Sequence, residues 1–94
     1  MQTHFPSPWW RTPDPARIEY VLRSLGMNVK HSGQWFTARC PLGLHPDRHP
    51  SFAMRQDTGR WKCFSCGEHG DLPELVMALL GEDFKGAAQW LRNF

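Results

Sequence analysis

The sequence predicts an α+β fold: a small antiparallel β-sheet with one helix before it, two helices after it and a metal site at one end. Three observations carry that prediction. Apolar residues repeat with the 3.6-residue period of a helix in three stretches. Between the first and second of these lie short runs that alternate with the period of two expected of strands. The three cysteines of the chain fall, with a histidine, into two chelating pairs.

The first 13 residues hold His4, Phe5, Pro6, Pro8, Trp9, Trp10 and Pro13. Three prolines forbid a regular helix, so 1–13 is expected to be an extended arm whose aromatics pack on the domain or dock on a partner. The folded domain then spans 14–94. Its first helix is expected over 14–25: Asp14 caps, Pro15 suits the first helical position, Ile18, Val21, Leu22 and Leu25 form one face, and Gly26 stops it.

Strands are expected over 28–31 and 34–39 around a Ser32-Gly33 turn, the second running into Cys40. Residues 51–56 alternate, with Phe52 and Met54 on one face and Ala53 and Arg55 on the other. Asp57-Thr58-Gly59 makes a tight turn and 60–64 returns, with Arg60, Lys62 and Phe64 on one side, opposite Trp61 and Cys63. Two helices close the chain. Over 71–80, Asp71 and Glu74 form a capping-box pair and Leu72, Leu75, Val76, Leu79 and Leu80 the apolar face. Over 83–92, Asp83 caps and Phe84, Ala87, Ala88 and Leu91 line one side.

Cys40 and His45 have four residues between them, Cys63 and Cys66 have two, and 17 residues separate the pairs, room for one hairpin. This is how a four-coordinate zinc site is assembled, each pair on its own turn. His49 and His69 also lie within reach of the site. His45 is favoured because it makes the compact chelate with Cys40, whereas His49 needs a longer loop through Pro46 and His69 crowds the second turn. Four protein ligands close the coordination shell, so the one Zn2+ is expected to be structural rather than catalytic. A Cys2His2 finger is excluded, because no histidine follows His69.

Ninety-four residues make one domain near the size where burial alone gives marginal stability, so a metal staple fits. An odd number of cysteines and no apolar N-terminal signal argue against a secreted disulfide scaffold and for a cytoplasmic location. No apolar run approaches the roughly 18 residues of a membrane span. The charge is asymmetric: 28–62 has six basic against two acidic residues, net +4, and 63–94 has two basic against five acidic, net −3.

Cys40-Pro41, then 45–52 (His-Pro-Asp-Arg-His-Pro-Ser-Phe), then 61–71 (Trp-Lys-Cys-Phe-Ser-Cys-Gly-Glu-His-Gly-Asp) resemble the zinc-binding domain, a CHC2-type zinc ribbon, of bacterial and phage-type DNA primases. The strand entering Cys40 and the three expected helices fall where that family has them, so the resemblance covers about residue 14 to the end. Four residues between Cys40 and His45 read as a two-residue insertion in the zinc loop, with Pro50-Ser51-Phe52 keeping His45 at the metal histidine. The resemblance implies a module that selects start sites on single-stranded template DNA for primer synthesis. Its implied partners are a primase catalytic subunit or domain and a replicative helicase, with no membrane.

The residues agree with such a partner. Single strands are held by a basic surface along the phosphates and by aromatic faces on which bases stack, each worth about 1–3 kcal/mol. The sheet offers Arg39, Arg55, Arg60 and Lys62 interleaved with Trp35, Phe36, Trp61 and Phe64. Arg48 in the zinc loop and His69 after the second pair complete the candidate DNA-binding set, while Phe52 and either Phe36 or Trp35 are expected in the core. Primer synthesis itself needs clustered carboxylates that hold divalent ions, and the nine acidic residues are scattered with no Asp-x-Asp pair. The chain alone is therefore expected to be no enzyme. The alternative is a zinc-stabilised domain that docks a replication protein through its aromatic arm and acidic helices.

Overall fold

The computed structural model of the chain describes residues 8–42 and 50–94. Five strands, β1 (Lys30–Ser32), β2 (Trp35–Ala38), β3 (Phe52–Arg55), β4 (Trp61–Cys63) and β5 (His69–Gly70), form one antiparallel sheet in the order β1-β2-β3-β4-β5. Helix α1 (Pro15–Ser24) precedes the sheet, and α2 (Leu72–Leu80) and α3 (Phe84–Leu91) follow it. Strands adjacent in sequence are adjacent in the sheet, which short connections favour.

The caps are those the sequence supplies. The Asp14 carboxylate accepts from the Ala16 backbone N–H at 3.0 Å, with Pro15 at the first helical position. Asp71 and Glu74 form a reciprocal capping box: Glu74 N–H donates to the Asp71 side chain at 3.0 Å and Asp71 N–H to the Glu74 carboxylate at 3.3 Å. Asp83 caps α3 by accepting from Gly86 N–H at 2.8 Å.

Register makes the sheet one-sided. Phe36, Met54 and Trp61 lie abreast across β2, β3 and β4, as do Ala38, Phe52 and Cys63. All six are buried, together with Ile18, Val21 and Leu22 of α1, Leu72, Leu75 and Val76 of α2, and Ala87, Ala88 and Leu91 of α3. The three helices thus cover one face of the sheet and leave the other open. Alternation alone admits either Phe36 or Trp35 to the core; Phe36 faces in and Trp35 out.

Three expectations are corrected. The arm is not extended throughout: Trp9–Arg11 form a single 3-10 turn, closed by bonds from Arg11 N–H to Pro8 O and from Thr12 N–H to Trp9 O. Prolines bar a long helix, but Pro8 and Pro13 flank this turn and neither interrupts it. Trp10 is buried in the core, and the Trp9 indole N–H donates to the Leu91 carbonyl at 2.8 Å, satisfying an acceptor at the end of α3. Residues 1–7, with His4, Phe5 and Pro6, lie outside the described residues. Phe84 and Leu80, expected on apolar faces, are exposed, Leu80 as the last residue of α2 and Phe84 as the first of α3. Finally, His69–Gly70 add a fifth strand where only a turn was expected.

Trp10→Ala should remove about 3 kcal/mol of unfolding free energy, the usual cost of deleting a buried indole, read by urea denaturation of the zinc-loaded protein. A loss below about 0.5 kcal/mol, as at a surface site, would mean that the turn is not part of the fold.

Candidate metal centre and the open face of the sheet

Cys40 lies two residues past the end of β2, Cys63 is the last residue of β4, and Cys66 sits on the turn between β4 and β5. That turn is closed twice. Gly67 N–H donates to the Cys63 carbonyl at 2.8 Å, and Cys63 N–H to the Glu68 carbonyl at 2.8 Å. Gly67 has φ +80°, a conformation that side chains with a Cβ resist, and it lets the chain double back so that Cys66 faces Cys63. Pairing of β2 with β3 and of β3 with β4 brings Cys40 to the same end of the sheet.

The three sulfurs lie within 4.8 Å of one another. Sulfurs about 2.3 Å from one tetrahedral zinc stand roughly 3.8 Å apart, so shifts of about 1 Å or less let all three share an ion. Cys63 is wholly buried, and Cys40 and Cys66 are half-buried. Burial pushes the Cys40 thiol up, to about 12; the Leu42 backbone N–H pulls it down, and the Cys63 and Cys66 thiols raise it further. Cys40 therefore keeps its proton until a dication displaces it. Soft sulfur donors clustered at this spacing fit zinc, which would tie the ends of β2 and β4 together and would do no chemistry of its own there. His45 and Arg48 lie outside the described residues.

The open face carries most of the other candidates. Lys30, Thr37, Ala53, Lys62 and His69 form one row straight across the five strands. Lys30, Lys62 and His69 are exposed in it, and Ala53 leaves its middle shallow. Two cation–π pairs stand on the same face: the Arg55 guanidinium lies 5.4 Å from the Trp35 ring and the Lys62 ammonium 5.6 Å from the Phe64 ring. Phe64 is 68% exposed, a high value for so large an apolar ring. Arg60 and Arg39 are exposed at the ends of their strands, Arg39 next to Cys40. Arg55 is also engaged by Asp57 in a bidentate pair at 3.0 and 2.8 Å, which lowers the Asp57 pKa and raises that of Arg55.

Trp61 does not belong to this surface. Its ring stacks on Phe52 at 5.6 Å, its indole N–H donates to the Asp71 carbonyl at 2.7 Å, and it is 5% exposed. Facing the helices, it anchors α2 to β4 and offers no face to a base. Phe36, also among the interleaved aromatics, is buried in the same row, with Met54 between the two. Lys30 is a member of the open face that sequence reasoning misses, and Trp35 is one it leaves undecided. Lys30 could be found by carrying the β1–β2 register across the Ser32-Gly33 turn to Lys62, and Trp35 by fixing Phe36 inward.

A small sheet with a cysteine zinc site at one end and helices on one face defines a zinc-binding ribbon domain. Residues 13–94 match the CHC2 zinc finger family, and the chain belongs to that family, the zinc-binding domain of DNA primases. It is 35% identical over 65 residues to a DNA primase of Chlamydia trachomatis, covering 69% of this chain and 11% of that protein. It is 40% identical over 67 residues to a DNA primase of Helicobacter pylori, covering 71% of this chain and 12% of that protein. The chain thus spans about a tenth of the length of the primases it matches. The crystal structure of the zinc-binding and RNA polymerase domains of Aquifex aeolicus primase superposes with a TM-score of 0.70 at 26% identity, covering 89% of this chain and 20% of that one.

Zinc binding should release protons near neutral pH, because a thiolate is the ligand and burial keeps the Cys40 thiol protonated well above 7. Below about 12 the metal-free Cys40 keeps its proton, so zinc affinity should fall as pH falls. Calorimetric titration in two buffers of different ionisation enthalpy gives the proton count; a heat independent of buffer would contradict it.

Proposed function

We propose that this domain holds single-stranded template DNA on the open face of its sheet and thereby helps a primase catalytic domain choose where primer synthesis begins. The observation that carries the reading is the basic row Lys30–Lys62–His69 flanked by the Trp35–Arg55 and Phe64–Lys62 pairs, all on the sheet that ends in the metal centre. Arg39 and Arg60 extend the positive surface at the strand ends. Phosphates would track the lysines and arginines while Phe64 and Trp35 stack on bases. The catalytic carboxylates come from the primase partner, and the setting is DNA replication in the cytoplasm. A replicative helicase is a further partner.

The fourth zinc ligand is His45, completing the shell with Cys40, Cys63 and Cys66. In a chelator competition His45→Ala should weaken zinc binding at least about tenfold, whereas His49→Ala should leave it near wild type. The opposite order would transfer the ligand role to His49.

Fluorescence anisotropy with short labelled single strands tests the DNA face. The double substitution Arg60→Ala with Lys62→Ala should weaken binding at least about tenfold and flatten its salt dependence, by roughly 0.7 in log–log slope for each phosphate that is no longer neutralised. Trp61→Phe should change affinity little, since that ring faces the core. Binding unaltered by the double substitution would remove this surface from the account.

The docking alternative draws on Trp9 and Trp10. Both are engaged inside the fold, one bonded to the end of α3 and the other in the core, which favours the DNA reading.

A further inference from the structure

We propose that Ser51 is a positioning residue of the metal centre, its hydroxyl donating a hydrogen bond to the Cys63 thiolate. This inference rests on the zinc centre and is independent of DNA binding. The Ser51 Oγ lies 3.5 Å from Cys63 Sγ, with the serine 8% exposed and the cysteine fully buried. The geometry is built into the sheet. Ser51 immediately precedes β3, its carbonyl accepts from Phe64 N–H at 2.8 Å, and the next residue, Phe52, pairs directly with Cys63. The serine backbone is thus held next to the cysteine it serves by the β3–β4 ladder.

While Cys63 is a thiol, either atom can be the donor. A cysteine bound to a cation has lost its proton, so the hydroxyl alone can then donate, and the metal fixes the direction of the bond. The charge balance gives the bond its purpose. Three thiolates around a dication leave one excess negative charge, partly within the core. Buried negative charge is costly unless donors meet it, and bonds to charged groups are about twice as strong as neutral ones. For Cys40 the Leu42 backbone N–H is such a donor. For Cys63, whose own N–H is spent on Glu68, Ser51 supplies one from the neighbouring strand. By drawing electron density from the sulfur it also makes Cys63 a less reactive ligand.

The test loads wild type, Ser51→Ala and Ser51→Thr with Co2+ and records the sulfur-to-cobalt charge-transfer band, alongside zinc affinity by chelator competition at fixed pH. Losing the bond leaves the thiolate a stronger electron donor, so the band of Ser51→Ala should move to longer wavelength. Its zinc affinity should fall about tenfold or more, as for other partners of metal ligands. Ser51→Thr keeps the hydroxyl and should return both readouts toward wild type. A band at the wild-type position in Ser51→Ala would overturn the proposal, leaving the serine a packing residue. So would a Ser51→Thr protein that matches Ser51→Ala in both readouts, since the hydroxyl would then not be the operative group.

Discussion

Three sulfurs drawn to one point at the end of a small sheet are the constraint on which this domain depends. Cys40 lies just past the end of β2, Cys63 ends β4 and Cys66 tops the turn to β5, so one cation would tie three separate pieces of chain. The magnitudes show why that matters. Structural zinc binding in small peptides is worth about 10–16 kcal/mol at neutral pH, while a whole domain is stable by only about 5–15 kcal/mol. A sheet with a two-residue edge strand at one side and a three-residue strand at the other has little hydrogen-bonded ladder to resist fraying. The ion contributes on the scale of the entire fold.

The same strands that carry the ligands divide the sheet into a dry face and a wet one. On β4, alternation sends Trp61 and Cys63 inward and Lys62 outward, with Phe64 exposed just beyond. The consequence is mechanical: anything that shifts Cys63 also shifts Lys62 and Phe64. The bond between Trp61 and the Asp71 carbonyl fastens the same strand to the start of α2, where Asp71 also forms the capping box. Metal, core and open face are thus coupled through three consecutive residues. The Arg55–Asp57 pair works differently, holding the Arg55 guanidinium near the Trp35 ring at the far end of β3.

Much of this is legible in the sequence because the relevant signals are local. Asp14-Pro15, the Asp71/Glu74 box and Asp83 mark helix starts by groups that need no tertiary partner, and all three caps form. The cysteine spacing defines the cluster without reference to any fold. What escapes depends on interactions between distant residues. A two-residue strand such as β5 has no period to detect, and it exists because Lys62 and Trp61 offer an edge to His69 and Gly70. The turn at Trp9–Arg11 is held by a carbonyl 82 positions away. Trp61 groups with the surface aromatics by composition, although alternation places it opposite Arg60 and Lys62; its indole finds a partner at the start of α2, which strand periodicity alone does not reveal. Phe84 and Leu80 fit the helical period yet stay exposed, since period identifies a face but not the extent of what it packs against.

The central claim is that the metal holds the open face in shape, so that DNA binding and zinc occupancy form one equilibrium. Stepwise removal of zinc by a chelator, with labelled single-stranded DNA present, tests it in one titration that follows anisotropy and amide chemical shifts of β4 together. The expected result is loss of DNA binding and of the shift dispersion of 61–64 at the same chelator concentration, both restored by added zinc. DNA binding that survives complete zinc removal, or is lost while 61–64 keep their shifts, would contradict the claim.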